Sequence, residues 1–177
     1  PSEPETVDIR QLLDDVAADA RVVQPERPIT VDVPAPIEIA ADPERLLQAV
    51  SILVTNALTH TPTSAALSLE AEADREGIAI RVTDTGPGIA PEHLDRLFDR
   101  FYRVDNARNR EQGGSGLGLA IARSIAEAHG GTLDVESTLG RGSTFTLRIP
   151  DTARDRTEIE GSPQLDARTG PMPSDEA

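Results

Sequence analysis

Asp84-Thr-Gly-Pro-Gly88-Ile89, at the end of a strand pattern, and Gly113-Gly-Ser-Gly-Leu-Gly118, which runs straight into a helix pattern, set the architecture of this chain. In the first, two glycines let the backbone approach a ligand closely, and the carboxylate is an acceptor at a strand end. In the second, glycines leave backbone N–H groups free to cradle phosphate oxygens, and the helix N-terminus favours negative charge. Each patch alone reads equally as a surface turn or a linker. The second is not a P-loop, because no Gly-Lys-Ser/Thr follows. Nor is it a dinucleotide fingerprint, which after Gly114 and Gly116 would need Gly where Leu119 stands.

Upstream, Asp42-Pro43 pairs an N-cap carboxylate with Pro at the first helical position and predicts a helix to about Thr61, where Pro62 stops it. Ile52, Asn56, Thr59 and His60 share one face of that helix. The Asn56 amide oxygen is a hard ligand suited to Mg²⁺, although a satisfied core Asn is the simpler reading in isolation. Between the glycine patches, Asp99 to Arg110 carries four arginines (100, 103, 108 and 110) against Asp99 and Asp105. Such a basic segment invites a polyanion, or is a solvated charged helix end.

Apolar residues at helical spacing over Asp8 to Val23 predict an amphipathic first helix, with Ile9, Leu12, Leu13, Val16, Ala17, Ala20 and Val23 facing inward. Ile29–Val33 and Ile37–Ile39 read as short strands around Pro34-Ala-Pro36, forming a short N-terminal hairpin. Alternation predicts an antiparallel pair over Ala66–Ala73 and Ile78–Val82, and a closing hairpin of Thr132–Ser137 with Ser143–Ile149. A short helix over Pro91–Phe98 and a long one from about Gly116 to His129, ended by Gly130-Gly131, complete the elements. The fold class expected is α+β: a two-layer α/β sandwich with a mixed sheet of about five strands and three helices. Residues 1–7 read as the end of a linker, 8–150 as one domain, and 151–177 as an acidic, disordered tail.

The chain has 177 residues and a formal net charge of −14, which argues against nucleic acid as a partner. All 17 basic residues are Arg, so Schiff-base chemistry is excluded; with no Cys, so are thiol nucleophiles and disulfides. No apolar run reaches membrane-spanning length, and a start at Pro-Ser-Glu rather than Met predicts an internal segment of a longer chain.

Four boxes in order make this sequence resemble the Bergerat-fold ATPases, in their histidine-kinase branch. Arg45-Leu-Leu-Gln48, Asn56-Ala57 and His60-Thr61 resemble the N-box, and Asp84-Thr-Gly-Pro-Gly88 the first Gly box. Leu97-Phe-Asp-Arg-Phe-Tyr-Arg103 resembles the F-box, and Gly114-Ser-Gly-Leu-Gly-Leu119 the second Gly box. His129-Gly-Gly and Gly140-Arg-Gly-Ser-Thr-Phe145 resemble the closing strands.

The resemblance implies an ATP-binding catalytic domain of a sensor histidine kinase. Asp84 would accept a hydrogen bond from the adenine amino group, and Gly86 and Gly88 would shape the base pocket. Asn56 would hold Mg²⁺, and Gly114, Gly116 and Gly118 would contact the triphosphate. Arg103 and Arg108 would reach the terminal phosphate, and Tyr102 would lie near the base or lid. His60, Ile89, Ser115, Leu117 and Thr144 would complete the ATP site, with the segment between the F-box and Gly114 as its lid. None of His60, His93 and His129 is followed by a phosphoacceptor motif. The acceptor histidine is therefore expected on an absent upstream dimerisation domain, with a cognate response regulator as the further partner. The parent is expected to be a homodimer in the bacterial inner membrane, with this domain in the cytoplasm. Two departures stand out: Ile52 replaces the first Asn of the N-box, and Thr59 its frequent Lys. They motivate an alternative, a catalytically weakened nucleotide-binding regulatory module; an anti-sigma-type serine kinase is a further one.

Overall fold

In the computed structural model, which describes residues 3–104 and 116–151, a mixed five-stranded sheet carries the helices on one face. Helix α1 (Ile9–Val23) starts where the Asp8 carboxylate accepts from the Gln11 N–H at 3.1 Å. Six of its seven predicted core residues are buried; Val23, in the last turn, is exposed. Helix α2 (Pro43–His60) is capped by Asp42, which accepts from the Arg45 N–H at 3.0 Å, and has Pro43 in its first turn. Leu46, Ala49, Val50, Leu53, Val54 and Ala57 form its buried stripe. Helix α3 (Pro91–Leu94) is one turn only, shorter than the periodicity suggests. Beyond it, bonds run from the Arg96 N–H to the His93 carbonyl and from the Asp99 N–H to the Arg96 carbonyl, the tighter three-residue spacing. Helix α4 (Gly118–Ala128) ends as the Gly130-Gly131 pair predicts. Gly130 takes φ 74°, and the Gly131 N–H donates back to the Ala126 carbonyl at 2.8 Å.

The main sheet runs β2 (Ile29–Asp32), β4 (Leu67–Ala73), β5 (Gly77–Asp84), β7 (Gly142–Pro150), β6 (Thr132–Thr138), parallel only between β2 and β4. Both predicted antiparallel pairs, β4–β5 and β6–β7, are present. The expected N-terminal hairpin is not. Strand β3 (Glu38–Ala41) leaves β2 and pairs with β1 (Glu5–Asp8) in a separate two-stranded sheet. Pro34 and Pro36 lack the N–H groups of a tight turn and hold the connection extended, so β2 and β3 cannot fold back on each other. Strand β1 also gives structure to the end of the stretch read as linker.

Candidate nucleotide site

One face of α2 is core and the adjacent face is not. Gln48, Ser51, Ile52, Asn56, Thr59 and His60 line a cavity of about 910 Å³ instead. Its opposite walls are the end of β5, the chain from Pro87 to Val104, and the start of α4. Helical periodicity thus does two jobs in α2: the stripe through Leu53 holds the fold, and the stripe through Asn56 faces the cavity.

Asp84 lies at the C-terminal end of β5 and is only 6% exposed. Its Oδ1 accepts from the Gly86 N–H at 2.9 Å. Burial pushes its carboxyl above the usual carboxylate range. The N–H groups of Gly86 and Ser143 and the charge of Arg27 oppose that shift without cancelling it. The result is a desolvated acceptor on the cavity wall, suited to a neutral donor such as an exocyclic amine. Gly86 itself does not line the cavity; it is the space beside it that matters. A Cβ there would stand 2.5 Å from Thr61 Cγ2 and 2.9 Å from Asp84 Oδ1. Gly88 takes φ 74° and packs onto the β6–β7 turn, where a Cβ would meet the Thr138 carbonyl at 2.3 Å.

Ile89 lines the cavity, and its N–H donates to Ser137 Oγ at 2.7 Å. Tyr102 also lines it and is held from behind: its hydroxyl bonds to His93 Nδ1 at 2.5 Å, and the Arg96 guanidinium lies 4.5 Å over its ring. Arg103 faces the cavity beside His60. The His60 ring sits below the usual histidine range, first through desolvation at the cavity wall and then through the Arg103 charge. Gly116 and Gly118 close the cavity at the start of α4, where Ile52 Cγ2 lies 3.2 Å from the place of a Gly118 Cβ.

Besides Gly86, two predicted residues do not line the cavity. Thr144 points to the opposite face of the sheet, where its hydroxyl bonds to that of Thr83 at 3.0 Å. Strand alternation explains this: Phe145 is buried on the helical side, so Ser143 shares that side and Thr144 cannot. Ser143, 6% exposed and paired in register with Asp84, lines the cavity in its place. Leu117 stands at the N-cap of α4, and its side chain is not part of the cavity wall. Arg108, Gly114 and Ser115, and the tail after Asp151, lie outside the described residues. Besides Ser143, sequence reasoning missed Arg27, buried at 3% between two prolines with nothing local to announce it.

The polar groups fit a nucleotide. A buried acceptor, an Arg and a histidine ring line the cavity, and glycines stand where side chains would collide. Among the described residues no group of three or more His, Cys, Asp or Glu could cage a metal ion. Asn56, half-buried on the wall, is the hard oxygen donor best placed to share a divalent cation with phosphates.

Residues 41–153 match the model of the histidine kinase-, DNA gyrase B- and HSP90-like ATPase family. The chain is 43% identical over 135 residues to the sensor-like histidine kinase SenX3 of Mycobacterium bovis, a match covering 76% of this chain and 32% of that protein. Over 109 residues it is 43% identical to the sensor protein SrrB of Staphylococcus aureus, covering 62% of this chain and 19% of that one. It therefore spans about a third or less of the length of these relatives. Among solved structures, the mycobacterial sensor histidine kinase MprB superposes with a TM-score of 0.74 at 29% identity, covering 82% of this chain and 97% of that one. Full-length ShkA in complex with AMPPNP gives 0.71 at 34% identity, covering 83% and 31% respectively. Fold, cavity and kinship agree: this chain belongs to the histidine kinase-, DNA gyrase B- and HSP90-like ATPase family, as an ATP-binding catalytic domain of the sensor histidine kinase type.

Proposed function

We propose that this domain holds Mg²⁺-ATP in the cavity beside α2 and presents the γ-phosphate to a histidine on a separate dimerisation domain. The observation that carries this reading is the buried Asp84 carboxylate, facing a cavity that Asn56, His60 and Arg103 also line. The adenine amino group donates to Asp84, which the Gly86 N–H holds, with Gly88 walling the base. Asn56 holds Mg²⁺ together with the phosphates, and Arg103, Arg108 and the backbone of Gly114, Gly116 and Gly118 neutralise charge on them. Ser115 and Ile89 complete that enclosure. Phosphoryl transfer asks little of a protein beyond alignment and charge neutralisation. A bond forms from an imidazole nitrogen of the acceptor to the γ-phosphorus as the bridge to the β-phosphate breaks and ADP leaves.

Two of the chain's three histidines are otherwise engaged and the third, His60, is part of the cavity wall, which supports an acceptor elsewhere. His93 bonds to Tyr102, and His129 spans the Ile125 carbonyl and the Asp42 N–H. A response regulator then takes the phosphoryl group from a dimeric parent. Among the described residues no helix is long and apolar enough to cross a membrane. Mixing this domain with Mg²⁺-ATP and its parental acceptor domain tests the reading. Labelled phosphate appearing on the acceptor histidine supports it; none at high domain concentration contradicts it.

A further inference from the structure

Arg27 sits in the loop between α1 and β2 and is 3% exposed, yet it forms no salt bridge among the described residues. Burying a guanidinium without a contacting carboxylate is costly. Its fork is spent on two relays into the last turn of α2. Nη1 donates to Gln24 Oε1 at 3.0 Å, and Gln24 Nε2 donates to the Leu58 carbonyl at 3.2 Å. Nη2 donates to Thr61 Oγ1, which itself donates to the Ala57 carbonyl at 2.7 Å. Nε is buried with no partner among the described residues. The methyl of that same Thr61 fills the space beside Gly86, whose N–H holds Asp84. Arg27 and Asp84 also feel each other's charge, and each is otherwise held in its neutral direction by desolvation.

Resting on the nucleotide reading above, we propose that Arg27 is a positioning residue of the purine end of the cavity: it braces Thr61 against the Gly86 turn and sets a buried positive charge behind the Asp84 acceptor that this turn holds. A purely structural plug would be served as well by an apolar side chain of similar volume. A buried cation aimed through Thr61 at a buried anion has a reason to be an arginine. The strand neighbours of Asp84, Leu67 on β4 and Ser143 on β7, carry no charge. The remaining titratable groups of the cavity are His60 at the end of α2, and Tyr102 and Arg103 after α3.

The test is ADP affinity by calorimetry from about pH 5.5 to about pH 8 for the wild type, Arg27→Gln and Arg27→Lys. Gln keeps donors for Thr61 but drops the charge; Lys keeps the charge. His60 and the ADP phosphates are common to all three proteins, so differences between the proteins isolate Asp84. Without the Arg27 charge, Asp84 takes up its proton at higher pH. Arg27→Gln is expected to lose about tenfold or more in affinity near pH 5.5 while staying within about threefold near pH 8, with Arg27→Lys close to wild type throughout. The Asp84 carboxyl carbon resonance should titrate at higher pH in Arg27→Gln alone. A uniform loss at every pH, or none, overturns the proposal while leaving the nucleotide site intact. If Arg27→Gln does not fold, Arg27→Lys decides: a carboxyl midpoint moved up despite the retained charge overturns it, and an unmoved one supports it. Wild type that binds no ADP removes the underlying reading and this inference together.

Discussion

Phe101 and Gly116 meet backbone to backbone: the Phe101 N–H donates to the Gly116 carbonyl at 3.0 Å, and both residues occupy the left-handed region, at φ 66° and 73°. Phe101 is 71% exposed, so its conformation is not repaid by burial of its ring; the bond to Gly116 is what holds it. The contact joins the end of the F-box to the start of the second Gly box and so fixes one wall of the cavity. A Cβ at Gly116 would come within 2.9 Å of the Phe101 Cα and carbonyl carbon. Gly116→Ala should therefore lower stability by about 1–3 kcal/mol in urea unfolding and weaken ADP binding. Unchanged values for both would show that the contact bears nothing.

Burial of Asp84 has a consequence for stability as well as for binding. Its carboxyl is raised in the folded protein, so its contribution is most favourable below the ordinary carboxylate range and is lost as pH rises through the raised folded value. The ligand-free domain should thus gain stability at neutral pH from Asp84→Asn, which removes a buried charge while keeping an acceptor for the Gly86 N–H. Melting curves of both proteins should converge below about pH 3, where the carboxyl is neutral in either state. A variant less stable than wild type at pH near 7 would contradict this account.

His129 links two helices end to end. Its Nδ1 donates to the Ile125 carbonyl at 2.8 Å within α4, and its Nε2 accepts from the Asp42 N–H at 3.2 Å at the N-cap of α2. His129→Ala leaves that N–H and that carbonyl without the ring and should cost about 1–3 kcal/mol of stability. ADP affinity under conditions where both proteins are fully folded should be little changed, because His129 does not line the cavity. A selective loss of binding would place the residue in the site instead.

At the end of β7 the Asp151 N–H donates to the Glu76 carbonyl at 3.2 Å. Deleting the chain beyond Asp151 should leave both the unfolding midpoint and ADP affinity at wild-type values. A domain that unfolds on truncation would make the tail part of the fold.

Local signals were readable wherever one element carried its own evidence. Asp42-Pro43 announced α2, Gly130-Gly131 ended α4, and alternation gave β4–β5 and β6–β7. What stayed hidden depends on contacts far apart in sequence. Strand β3 takes β1 rather than β2 as its partner, and no local pattern encodes that choice. Thr144 and Ser143 were separated by a single step of strand parity, which the burial of Phe145 could have supplied. Arg27 looks like any surface arginine until the end of α2 folds over it. The glycine boxes named the chemistry because their spacing is set by the ligand, whereas the residues that brace them are set by the fold.

The most direct test of the account is titration of the wild-type domain and Asp84→Asn with ADP and ATP, with and without Mg²⁺. Wild type should bind both nucleotides, and Asp84→Asn should bind about tenfold to a hundredfold more weakly, the range expected on losing a hydrogen bond to a charged acceptor. Equal affinity in the two proteins, or no binding by the wild type at millimolar nucleotide, would contradict it.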